Sequence, residues 1–147
     1  MKIKLYGIKW DVKTAGPSPD NNKRNEVFFF GCNRAMDGNP CNGCFNSDLW
    51  DNSIVKEGHE ASAIVDNIKK FARNKYVTIG GGEPLDQLDG LIELTGLLKE
   101  NGFHVMVYTW RELLNIKNDD KIKTLLSNID MLVDGEFINS KKVYIKS

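Results

Sequence analysis

The chain predicts an α/β fold, built on a parallel sheet whose strands are joined through helices. Three observations carry this. Residues 26–30, 76–79, 103–108 and 131–133 are short apolar runs of strand length, rich in β-branched and aromatic side chains. Between them lie stretches whose apolar residues recur at helical spacing. The two kinds alternate, and strand–helix–strand order implies parallel pairing with right-handed crossovers. At 147 residues the chain makes a single compact domain, 1–147, with a core large enough to need no disulfides.

The first strand is predicted over residues 2–8, where polar and apolar residues alternate. Residues 14–23, with Gly16, Pro17, Pro19 and two asparagines, form a loop. Residues 26–30 form a strand that is apolar from Val27 to Phe30, as suits a strand covered on both faces. From His59 the period becomes helical: Ile64, Val65, Ile68, Phe71 and Ala72 share one stripe, and Asn74 ends it. After the strand at 76–79 and the run Gly80-Gly81-Gly82-Glu83-Pro84 comes a helix carrying Leu88, Leu91, Ile92, Thr95 and Leu98. Asn101-Gly102 stops that helix. Asp119 or Asp120 caps a third helix bearing Ile122, Leu125 and Leu126, and residues 143–145 form a last strand.

Composition excludes several classes of function. Twenty Lys plus Arg balance twenty Asp plus Glu, so the clustered positive charge that phosphate binding needs is absent and no nucleic-acid partner is expected. No apolar run approaches the roughly 20 residues that cross a bilayer, so no membrane span is expected. The opening Met1-Lys2-Ile3-Lys4-Leu5 lacks the pattern of a signal peptide. An odd cysteine count of three agrees with a reducing, cytoplasmic compartment. The three tryptophans, Trp10, Trp50 and Trp110, are expected as partly buried core residues.

All three cysteines fall between Gly31 and Phe45, in a segment rich in Gly, Asn and Pro. Cys41-Asn42-Gly43-Cys44 has the spacing of a pair gripping one metal or cluster, and Cys32 lies nearby. Four readings stand side by side: free core cysteines, a zinc site completed by His59 or His104, a redox pair, and an iron–sulfur cluster with three protein ligands and one open position. The last leaves a substrate access to the metal.

Ligands of parallel sheets gather at the carboxyl ends of the strands, and Gly80-Gly81-Gly82-Glu83-Pro84 directly follows one. A plain strand-to-helix turn explains part of the run, with Gly at positive φ and Pro84 opening the next helix. Three glycines in a row exceed that need, and they allow a ligand to lie along the backbone. Glu83 repels phosphate and suits a free ammonium group, and the P-loop Gly-Lys-Ser/Thr is missing.

Together, Gly31-Cys32, Cys41-Asn42-Gly43-Cys44-Phe45-Asn46 and Gly81-Gly82-Glu83-Pro84-Leu85 resemble the motifs of the radical S-adenosylmethionine (SAM) superfamily. Gly16-Pro17, Val107-Tyr108-Thr109 and residues 129–138 make the chain similar to the activating proteins of anaerobic ribonucleoside-triphosphate reductase, which are glycyl-radical activases. The resemblance implies a partial (β/α) barrel of mostly parallel strands, with a cluster loop at 31–46. It implies a [4Fe-4S] cluster on Cys32, Cys41 and Cys44, and SAM against Gly43, Phe45, Gly81, Gly82, Glu83 and Thr109. It also implies a radical SAM oxidoreductase without catalytic side chains beyond cluster and cofactor. One electron from a donor such as flavodoxin or ferredoxin then cleaves SAM, and the adenosyl radical takes a hydrogen from a glycine of the large reductase subunit.

Two departures stand out. The family places its second cysteine where this chain has Met36, and Asp37-Gly38-Asn39-Pro40 precedes Cys41. Lengthening the loop between the first two cysteines costs only about 0.9 kcal/mol in closure entropy, so the cluster is expected to survive. The arginine–glycine–serine-rich tail frequent in the family is also missing after Ser147. Two other functions fit less of the sequence: a small-molecule radical SAM enzyme similar to the deazaguanine-forming branch, and a non-catalytic zinc-binding interaction module.

Overall fold

The structure is a computed structural model, and it describes residues 2–13, 16–19, 23–30, 58–135 and 142–145. Strand β1 (Lys2–Val12) pairs antiparallel with β2 (Arg24–Phe29) on one side and with β3 (Gly58–Glu60) on the other. Helix α1 (Ala61–Phe71) leads to β4 (Tyr76–Gly81). A 3-10 turn (Pro84–Gln87) then runs into α2 (Leu88–Glu100), β5 (His104–Tyr108), the single turn α3 (Leu113–Ile116), α4 (Asp120–Asn128), β6 (Met131–Asp134) and β7 (Lys142–Ile145). One seven-stranded sheet results, in the order β3-β1-β2-β4-β5-β6-β7.

The α/β class is borne out, and the sheet is mixed, with five of its seven strands running in one direction. Its centre, β2-β4-β5-β6, is parallel, while β1 and β7 join it antiparallel and β3 pairs antiparallel with β1. Connection length decides this. A parallel return needs a dozen or more residues, usually with a helix. The links from β1 to β2 and from β6 to β7 are shorter, and the first is broken by glycine and prolines.

Residues alternate across the sheet, and the two faces are built differently. Val27, Phe29, Val77, Ile79, Val105, Val107 and Leu132 pack against Ile64, Val65 and Ile68 of α1, Leu91, Leu94 and Leu98 of α2, and Ile122 and Leu125 of α4. This is the main core. The intervening residues Met106, Tyr108, Met131 and Val133 form a second, smaller cluster on the other face. Arg24 and Thr78, both fully buried, also belong to residues alternating with the main core.

Boundaries shift where polar residues have other partners. β1 runs four residues past its predicted end, with register shifts between Leu5 and Gly7 and between Lys9 and Val12, and with Asp11 at φ 53°. Helix α1 starts at Ala61 because residues 58–60 pair with β1, and it stops at Phe71, short of Asn74. Asp119 caps α4, its side chain accepting from the backbone of Lys121 and Ile122, and Gly102 takes φ +81° after α2. Trp10 is 37% exposed and lies on Phe71 at 6.2 Å between ring centroids, so the core placement expected for it is corrected. Trp50 lies outside the described residues.

Candidate functional site

The site lies where β4 and β5 end side by side. Gly81 takes φ +103°, and a Cβ there would sit 2.4 Å from the Phe29 carbonyl oxygen and 2.6 Å from its nitrogen. Gly82 N–H donates to that same oxygen at 2.9 Å. The neighbouring strand β2 therefore requires Gly81 whatever binds nearby. Gly80 differs: a Cβ there would meet only the Tyr108 Cβ, at 3.9 Å. Among the described residues nothing else comes within 4 Å of that Cβ.

Glu83 follows and is 1% exposed. Its Oε2 accepts from the Thr109 hydroxyl at 2.6 Å and from Leu85 N–H at 3.0 Å, and its Oε1 accepts from Trp110 N–H at 2.9 Å. Arg111 Nη1 approaches Oε2 at 3.4 Å, and Nη2 bonds Asp86 of the 3-10 turn. Burial pushes the Glu83 pKa above the ordinary carboxylate value. The Thr109 hydroxyl, Trp110 N–H, Arg111 and Leu85 N–H pull against it, in that order. The carboxylate thus braces the glycine turn to the end of β5.

Thr109 is 2% exposed. Its hydroxyl donates to Glu83 and accepts from Arg111 N–H at 3.1 Å, and its own N–H donates to Val133 O at 2.9 Å. Asp134, also buried, accepts from Leu113 N–H at 2.6 Å and so fixes α3 at the end of β6. Three strand ends are linked in this way.

The structure brings together Gly81, Gly82, Glu83 and Thr109. The expected cluster ligands Cys32, Cys41 and Cys44, and with them Gly43 and Phe45, lie outside the described residues. Sequence reasoning missed Arg111, Asp86 and Asp134. Two charged residues placed two positions after Thr109 and at the end of an apolar strand were the available signal. His104, weighed as a zinc ligand, has Nδ1 3.1 Å from Arg24 Nη2.

The described residues fit one end of a SAM-like ligand in chemistry. They offer a Gly80 face on which, among the described residues, only the Tyr108 Cβ comes within 4 Å, and a buried carboxylate behind the turn, whose charge favours a cation. A match to the 4Fe-4S single cluster domain, spanning residues 21–146, decides the family. The chain belongs to that 4Fe-4S family. It is 27% identical over 109 residues to the anaerobic ribonucleoside-triphosphate reductase-activating protein of Vibrio cholerae, covering 69% of this chain and 68% of the relative. The protein of the same description from Haemophilus influenzae is 25% identical over 123 residues, or 80% and 76% of the two chains. The pyruvate formate-lyase-activating enzyme of Clostridium pasteurianum is 36% identical over 94 residues, 58% of this chain but 36% of that enzyme. The resemblance drawn from the motifs is borne out: this 4Fe-4S protein is a radical SAM activating enzyme, with a [4Fe-4S] cluster and SAM as its cofactors.

Proposed function

We propose that the protein generates a glycyl radical on the large subunit of anaerobic ribonucleoside-triphosphate reductase. One observation carries this choice of partner. The likeness to reductase-activating proteins extends over about two-thirds or more of both chains, whereas pyruvate formate-lyase-activating enzymes match over 36% to 41% of their length.

When bound, the cluster and SAM supply a reductively formed adenosyl radical able to remove a hydrogen from a glycine Cα. The chain's own residues hold and shield. Cys32, Cys41 and Cys44 are the proposed cluster ligands, and Gly43 and Phe45 the residues beside the adenosyl group. Gly81, Gly82 and Glu83 are the proposed neighbours of the methionine end. Thr109 acts behind them, through its hydroxyl on Glu83. A reactive radical demands exclusion of solvent, which a partner loop entering over the glycine turn provides.

The finer architecture belongs to the same reading: a single radical SAM activase domain over residues 1–147, with the sheet as part of an incomplete (β/α) barrel. Among the described residues no helix is long and apolar enough to cross a membrane. A cytoplasmic setting and a flavodoxin- or ferredoxin-type electron donor complete the proposal. The test is anaerobic incubation of the reconstituted protein with the reductase subunit, SAM and reductant. A glycyl-radical EPR doublet is expected, and its absence while SAM is still cleaved overturns the choice of partner.

A further inference from the structure

Arg111 is the one cationic side chain bonded to Glu83 among the described residues. Its backbone is fixed from both sides: its N–H donates to the Thr109 hydroxyl at 3.1 Å, and its carbonyl accepts from Gly135 N–H at 3.1 Å. The side chain, 26% exposed, then spans two carboxylates of different elements, Glu83 of the glycine turn and Asp86 of the 3-10 turn. Around Glu83 the other partners are neutral donors, namely the Thr109 hydroxyl and the N–H groups of Leu85 and Trp110. Asp86, on its own turn, and Asp134, at the end of β6, are acidic.

A carboxylate with 1% exposure needs a compensating charge to remain ionised. Three neutral donors reward the anion, but burial opposes it. Were Glu83 to take up a proton, one oxygen would turn from acceptor into donor and would face groups that already donate. The brace between the β4 turn and the end of β5 would then be broken.

We propose that Arg111 is a positioning residue: it keeps Glu83 charged, with both oxygens facing their donors, and so sets how well the glycine turn takes a ligand carrying an ammonium group. This rests on reading the turn as the neighbour of the methionine end of SAM. The effect runs through Glu83, so it acts on charge and shape and requires no contact between Arg111 and the ligand. Lysine keeps the charge but loses the planar fork that reaches two carboxylates at once. Glutamine keeps polar reach without charge.

The experiment follows the Glu83 carboxyl by carbon-13 NMR in protein labelled at glutamate, with the resonance assigned from Glu83→Gln. In Arg111→Gln and Arg111→Met the Glu83 titration is expected to move to higher pH, with Arg111→Lys in between. In parallel, equilibrium binding of SAM to the reconstituted protein is expected to weaken about tenfold near neutral pH in Arg111→Gln. The loss deepens on acidification, while 5′-methylthioadenosine, which has no ammonium group, binds as before. Adding Arg111→Gln to Glu83→Gln is expected to weaken SAM no further. Unchanged Glu83 titration in both folded variants overturns the role of Arg111, irrespective of cofactor. Altered titration with equal losses for both ligands overturns the link to the ammonium group. A wild-type protein that binds neither ligand overturns the reading of the turn itself.

Discussion

Arg24 and His104 meet nitrogen to nitrogen, Nη2 to Nδ1, at 3.1 Å. A guanidinium has no acceptor, so Nδ1 of His104 must accept and the ring must be neutral with its proton on Nε2. Arg24 is fully buried and is held from three more sides, donating to Thr78 Oγ1 at 2.7 Å, Pro17 O at 2.8 Å and Val77 O at 2.9 Å. Burial lowers its pKa to about 10, which still leaves it charged at neutral pH. This pair fastens the Gly16-Pro17 loop over the sheet, where Gly16 takes φ +129° against the Met106 side chain.

Acidification should therefore weaken the fold through His104. Burial and then Arg24 lower its pKa, while Asp130 opposes them, and the Tyr76 ring lies 5.2 Å away. A histidine with a lowered folded pKa contributes stability that is complete above its unfolded value and is lost as pH falls below about 6.5. Thermal midpoints across that range should fall in the wild type. His104→Asn, which keeps an acceptor for Arg24, should flatten that limb. An unchanged acid limb in His104→Asn removes the pair as its cause.

The adjacent glycines of the turn should separate by mutation. Gly81→Ala puts a Cβ against backbone atoms of Phe29 and into a positive φ, for a loss of about 2–4 kcal/mol in urea unfolding. Gly80→Ala meets only ordinary contact and should change stability by about 0.5 kcal/mol or less, yet weaken SAM binding if the ligand uses that face. Equal stability losses for the two would contradict the geometry of the turn.

The central strands and the three longer helices were legible because their apolar periods are strong and because Asp119, Gly102 and Pro84 carry chemistry that stops or starts a helix. Strand β3 was not, since Gly58, His59 and Glu60 have no apolar alternation and become a strand only through pairing with Lys2, Ile3 and Lys4. In the site, the glycine run and Glu83 stood out by composition. Their partner Arg111 did not, because a long side chain near a strand end has no periodicity to betray it. The structure also divides what sequence lumped together: Gly81 answers to β2, and Gly80 meets only ordinary contact among the described residues.

The shifted cysteine assignment makes a direct contrast. After anaerobic reconstitution, Met36→Ala should retain the EPR signal of the reduced cluster and its response to SAM, since a thioether is not among the proposed ligands. Cys41→Ala should lose both, because two thiolates cannot hold a cluster that needs three protein ligands. Retention of the signal in Cys41→Ala would place the third ligand elsewhere.

Asn74 ties three strand ends together, and this gives the last prediction. Its Nδ2 donates to Asp11 Oδ1 at 2.9 Å, while its Oδ1 accepts from Tyr76 N–H at 3.0 Å and from Asn25 Nδ2 at 3.1 Å. Asn25 is fully buried, and Asp11 sits at φ 53°, a conformation that most side chains avoid. Asn74→Ala leaves the Tyr76 amide without its acceptor and Asp11 without its tether, for an expected loss of about 1–3 kcal/mol. At position 11 the bond and the backbone separate. Asp11→Ala loses both the acceptor and the tolerance of positive φ, whereas Asp11→Gly loses only the acceptor and should be milder by about 1 kcal/mol. Urea midpoints measure both, and equal losses in the two variants would mean that the left-handed turn at Asp11 stores no strain for Asn74 to hold.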